Sequence, residues 1–143
     1  MKPPLVIGLG NTLMGDDGAG CRAAERLARD PRLPSGIEVI CGGTDLLRYA
    51  DEIENRSRVI LIDAIESEAE PGSMSLIEDG PEERREHAHH LSAVQQAELL
   101  RVMTGTPIRL FGISVASATL GTELSPAVAD RLPAILDRIL EEL

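Results

Sequence analysis

A chain of 143 residues fits one domain spanning 1–143, and folding at this size hides roughly 68–70% of the surface the unfolded chain exposes. The balance of 43% hydrophobic and 27% charged residues is globular, but the aromatics are only Tyr49 and Phe111, so the core must come from Leu, Ile, Val and Ala. A formal net charge of −10 argues against nucleic acid, which needs Lys and Arg on its phosphates and aromatic platforms for its single strands; an acidic surface suits cations or a basic stretch of a partner protein.

The first element expected is a buried strand, Leu5 to Leu9, opening after Pro3-Pro4. A glycine-rich turn with two acids follows, from Gly10 to Gly20. Next comes a helix from Cys21 to Arg29, with Ala24, Leu27 and Ala28 on one face, ended by Pro31 and Pro34. Ile37 to Cys41 reads as a second strand closed by Gly42-Gly43. Thr44 is placed to cap a helix carrying Leu46, Leu47, Ala50 and Ile53. Arg58 to Asp63 is the third strand, almost continuously apolar and ending in an acid.

Ser73 to Ile77 is a short alternating strand, and the charged stretch from Glu78 to His90 is an exposed loop. Ser92-Ala93-Val94-Gln95 matches a capping box and predicts a helix to about Met103. Ile108 to Val115 is the last strand. Ser125-Pro126 starts a final helix that Pro133 should kink or split in two. Strands alternating with helices predict an α/β fold: a largely parallel twisted sheet sandwiched between helices in three layers. Its functional crevice belongs at the carboxyl ends of the strands.

The run Leu5 to Leu9 is too short for a signal peptide, and no stretch approaches the ~20 apolar residues of a membrane span, so a cytoplasmic protein with no membrane partner is expected. Cys21 and Cys41 have neither metal-ligand nor redox spacing and read as small buried thiols in a reducing cytosol.

The turn Gly8-Leu9-Gly10-Asn11-Thr12-Leu13-Met14-Gly15-Asp16-Asp17-Gly18 follows a strand, as nucleotide-binding turns do. Its residues oppose that use. Leu13 stands where a dinucleotide fingerprint needs its third glycine, and Cys41 where the ribose-binding acid would fall. Asp16 stands where a phosphate-binding loop needs lysine, and two carboxylates near a helix start repel phosphate. The turn therefore selects a cation, unless the acids merely cap the helix. Asp63, at the end of a buried strand, is either a cap for the next turn or a site residue. If the first and third strands are neighbours, it lies beside the two-acid turn, and two such carboxylates need a cation or a shared proton.

The three histidines, His87, His89 and His90, fall in one polar segment. Singly each reads as a solvated loop residue; together they raise the chance of a ligand. His89 lies close before the capped helix, where the backbone is better fixed. Two carboxylates and an imidazole make a site with open positions, suited to zinc, nickel, copper or iron. No Gly-x-Ser-x-Gly elbow or His-Glu-x-x-His helix competes with it.

Taken in order, these residues resemble the nickel–iron hydrogenase maturation peptidases. The match runs through Gly8 to Gly20, Gly42-Gly43-Thr44, Leu61-Ile62-Asp63-Ala64, Pro71-Gly72, His89-His90-Leu91, Gly112-Ile113 and Leu124-Ser125-Pro126. The resemblance implies a carboxylate-dependent, aspartyl-type endopeptidase that trims the C-terminal extension from a hydrogenase large-subunit precursor once nickel is inserted. It implies metal contact by Asp17, Asp63 and His89, with His90 the rival of His89. Asp17 and Asp63 would be catalytic. Gly42, Gly43 and Thr44 are expected along the substrate, the glycines letting its backbone come close, unless Gly42-Gly43 is an ordinary tight turn. Nickel would arrive on the substrate, with zinc or cadmium able to replace it. The other reading of the same ligands is a non-catalytic nickel-sensing module. Two departures bear on substrate choice: Cys41, where many members have an acid, and Ser114-Val115-Ala116, where a proline is common.

Overall fold

The computed structural model describes residues 1–78, 92–116 and 120–143. The elements in chain order are β1 (Leu5–Leu9), α1 (Ala19–Ala28), β2 (Glu38–Gly43), α2 (Ala50–Ile53), β3 (Val59–Glu66), β4 (Met74–Ile77), α3 (Ala93–Thr104), β5 (Ile108–Val115), α4 (Pro126–Ala129) and α5 (Leu132–Glu141). Single 3-10 turns, Gly15–Gly18 and Leu46–Tyr49, lead into α1 and α2.

Five strands form one sheet in the order β2-β1-β3-β5-β4. β1, β2, β3 and β5 run parallel, and β4 joins the edge antiparallel. The near-continuous apolar strands follow from this, since helices cover both faces. On one face Val6, Ile60, Ile62, Phe111 and Ile113 pack against Ala19, Ala23 and Leu27 of α1 and Leu132, Ile135 and Ile139 of α5. On the other, Leu5, Ile7, Val59, Leu61 and Leu110 pack against Leu46, Ile53, and Ala97 and Leu100 of α3. The three-layer α/β expectation holds, and β1 and β5 have the expected limits.

Several local expectations change. β3 does not stop at Asp63: β5 continues to Val115 and pairs with β3 as far as Glu66. β1 leaves β3 at Ile62, so Asp63 is the first β3 residue without a β1 neighbour. In α1, Ala23 joins the buried face and Ala28 is exposed. Thr44 caps nothing. Asp45 occupies the cap position without a side-chain bond, and Gln96 Oε1 of α3 accepts from the Leu46 N–H (3.1 Å) instead. The capping box at Ser92 is present with both reciprocal bonds, 2.9 and 3.1 Å. The chain breaks between α4 and α5, with Pro133 in the first turn of α5. The expected loop from Glu78 to His90 lies, from residue 79 on, outside the described residues.

The cysteines correct the expectation of free thiols. Cys21 and Cys41 form a disulfide with a Cα–Cα distance of 4.9 Å. Cys41 lies opposite Gly8 in the β1–β2 register, and α1 crosses Gly8 closely enough to set the buried Cys21 above that pair. Spacing along the chain carries no sign of this proximity.

That crossing depends on two glycines. A Cβ on Gly8 would lie 2.2 Å from the Gly20 carbonyl oxygen, and one on Gly20 would lie 2.1 Å from the Ile62 carbonyl oxygen. Both obstacles are backbone, which cannot rotate aside. The first turn of α1 therefore rests directly on the ends of β1 and β3. Gly20→Ala is expected to destabilise the fold by about 1–3 kcal/mol, as overpacked cores do, read as a lower urea midpoint at unchanged m-value.

Candidate active site

β1 delivers the chain into the acid-bearing turn at the carboxyl edge of the sheet, and the close seat of α1 holds that turn beside β3. The turn is bonded internally. Asn11 donates its N–H to Asp17 Oδ2 (2.9 Å), and Asn11 Oδ1 accepts from the Leu13 N–H (2.9 Å). Gly10 N–H reaches the Gly43 carbonyl (2.8 Å), tying the turn to the end of β2.

The two neighbouring acids do different work. Asp16 is buried, and its carboxylate accepts from both the N–H and the hydroxyl of Ser125, each at 2.7 Å. It fastens the start of α4 to the turn across 109 residues of sequence. Ser125 consequently makes no side-chain cap of its own to α4. Neither acid makes a side-chain cap to α1, whose cap residue is Gly18. Side-chain capping of α1 is therefore set aside for both acids; Asp16 is taken up by Ser125, and Asp17 accepts from the Asn11 N–H.

Asp63 meets Asp17 at this edge. Burial pushes the Asp63 carboxyl up to about 7; a hydrogen bond from the Ala64 N–H (2.8 Å) opposes that, and the Asp17 charge adds to it. Alternation along β3 sends Asp63 to the face of Val59 and Leu61, the face covered by α3. The Gly105–Pro107 connection returns α3 to the start of β5, so the first turn of α3 lies at the same carboxyl edge. The Gln96 bond to Leu46 fixes that turn beside the segment that follows Gly42-Gly43-Thr44.

Among the described residues no third His, Cys, Asp or Glu joins the two acids as a cluster able to hold a metal. His89 and His90 lie outside the described residues. Gly42 is buried, Gly43 half-buried and Thr44 exposed. A surface hollow of about 510 Å³, lined by Lys2, Asp51, Asn55, Arg56 and Thr106, lies at the opposite, amino end of the strands and contains none of these residues. Among the described residues no helix is long and apolar enough to cross a membrane.

The family model for hydrogenase maturation proteases matches residues 21–142. The hydrogenase 2 maturation protease of Escherichia coli (strain K12) is 30% identical over 148 residues, covering 97% of this chain and 89% of that protein. The hydrogenase expression/formation protein HupD of Thiocapsa roseopersicina is also 30% identical over 97% of this chain, which spans only 66% of the HupD length. Among solved structures, the maturation protease HycI of Thermococcus kodakarensis KOD1 superposes with a TM-score of 0.77 at 26% identity, covering 98% of this chain and 91% of that one. The endopeptidase HybD of E. coli superposes with a TM-score of 0.77 at 29% identity, covering 100% of this chain and 92% of that one. This chain belongs to the hydrogenase maturation protease family.

The raised pKa of Asp63 has a stability consequence. The folded state holds the proton to about pH 7, whereas an unfolded aspartate releases it near about 3.9. Stability is thus fully present below the unfolded pKa and is lost as pH rises through 7. Without metal, Asp63→Asn is expected to be more stable than the wild type at pH 8 by on the order of 1–4 kcal/mol, the gap closing toward pH 4. Urea melts in chelator across that range measure it.

Proposed function

We propose that the chain is an endopeptidase that removes the C-terminal extension from a nickel–iron hydrogenase large-subunit precursor after nickel insertion. The observation that carries this reading is the Asp17–Asp63 pair, set at the carboxyl edge of the sheet with Asp63 shifted up to about 7. Two carboxylates close together repel one another, and a proton or a divalent cation relieves that repulsion; in the proposed reading it is the cation. Oxygen donors together with an imidazole fit nickel, zinc or cadmium.

His89 is proposed as the third ligand. The chain enters α3 at Ser92, at the same edge of the sheet and on the face toward which Asp63 points. Nickel belongs in this scheme to the substrate: its presence on the precursor would bring the tail against Asp17 and Asp63. A cation there polarises a carbonyl or lowers the pKa of a water. A carboxylate beside it takes the proton of the attacking water and returns it to the leaving amine. Gly42, Gly43 and Thr44 border the turn through the Gly10–Gly43 bond; a side chain at buried Gly42 would strike Ile7, whereas Gly43 faces open space and is the position where an extended substrate backbone could come close.

The test uses a nickel-loaded large-subunit precursor from the same source organism. Wild-type protein is expected to remove the tail, seen as a discrete loss of mass, and Asp17→Ala and Asp63→Ala to slow this at least about 100-fold. Processing by both variants at the wild-type rate rejects the site. A precursor that binds tightly and stays whole favours the nickel-sensing module.

A further inference from the structure

Leu13 and Leu120 are 61% and 85% exposed, in a chain whose other large apolar side chains are mostly buried. They are far apart in sequence but adjacent in space. Met14 and Gly121 bridge in parallel, which brings the backbone at the preceding residues, Leu13 and Leu120, close together. Gly121 N–H donates to the Leu13 carbonyl (2.9 Å), and Gly15 N–H to the Gly121 carbonyl (2.7 Å). The Asp16 carboxylate holds Ser125 at two points, so the Leu120 segment is anchored on its far side as well.

These leucines sit on a braced backbone, and they adjoin the acids. Asn11 bonds Asp17 through its N–H and Leu13 through its side chain, so one residue fixes both the reactive carboxylate and the apolar step next to it. Leu13 also stands where a dinucleotide-binding turn would carry its third glycine. Exposed apolar side chains on a rigid rim favour a partner that removes them from water.

We infer that Leu13 and Leu120 form an apolar step at the rim of the acid pair that receives an apolar stretch of the precursor polypeptide next to the bond being cut. The occupant is the substrate chain itself, because the step is continuous with the site that would cleave it; the inference rests on the peptidase reading. Apolar contact made equally before and during the reaction sets binding without setting the chemical rate, so the step governs KM.

Precursor processing is followed at varied precursor concentration with wild type, Leu13→Ser, Leu120→Ser, the double variant, and Val102→Ser. Val102 is 80% exposed on α3 and serves as an apolar surface control. The double variant is expected to raise KM about tenfold with kcat kept, equivalent to about 1.4 kcal/mol, each single variant less. Leu13→Met with Leu120→Met should restore the wild-type KM, and Val102→Ser should leave it unchanged. A double variant with wild-type KM, or an equal rise from Val102→Ser, overturns the step while leaving the peptidase reading intact. Wild-type protein that fails to shorten the precursor overturns both.

Discussion

The site depends on how closely α1 approaches the sheet. Gly8 and Gly20 allow the first turn of α1 to touch the backbone of β1 and β3, with no side chain between. Any Cβ there would lift the helix, and with it the turn carrying Asp17. The same approach brings Cys21 to Cys41. It also leaves Asp63 where β1 ends, facing the turn and free of a strand neighbour on that side. Packing thus bears on the electrostatics: a contact between backbones holds Asp17 near enough for its charge to reach Asp63.

The fold tolerates that pair at a cost. Asp63 would be more comfortable neutral: its carboxyl is raised by burial and by Asp17, against a hydrogen bond from the Ala64 N–H. Asp16 is the contrasting case, a buried carboxylate met by two donors from Ser125. One turn therefore holds an acid that joins distant parts of the chain and a second acid, bonded by the Asn11 N–H, whose charge reaches Asp63.

Much of this was legible in sequence. Apolar runs of strand length located β1, β3 and β5, and Ser92-x-x-Gln95 located α3, because these signals are local and the structure does not override them. The acid turn was legible through what it lacks for phosphate. The division of labour between Asp16 and Asp17 was not, since it rests on Ser125, which is 109 residues away. The disulfide was invisible for the same reason: register opposite Gly8, and not spacing, brings the thiols together. The continuation of β3 past Asp63 follows from the length of β5, and the apolar step depends on the bridge from Met14 to Gly121. His87, His89 and His90 were suggested by clustering and resemblance, and they lie outside the described residues.

The central claim is that Asp17 and Asp63 hold one cation between them, with a histidine from the segment before α3. A crystal of the protein soaked in cadmium, with anomalous differences measured, tests it most directly. One strong peak is expected within coordination distance of both carboxylates, completed by His89 and remote from Asp16. A map with no peak between Asp17 and Asp63 at saturating cadmium, or with its main peak on Asp16, would contradict it.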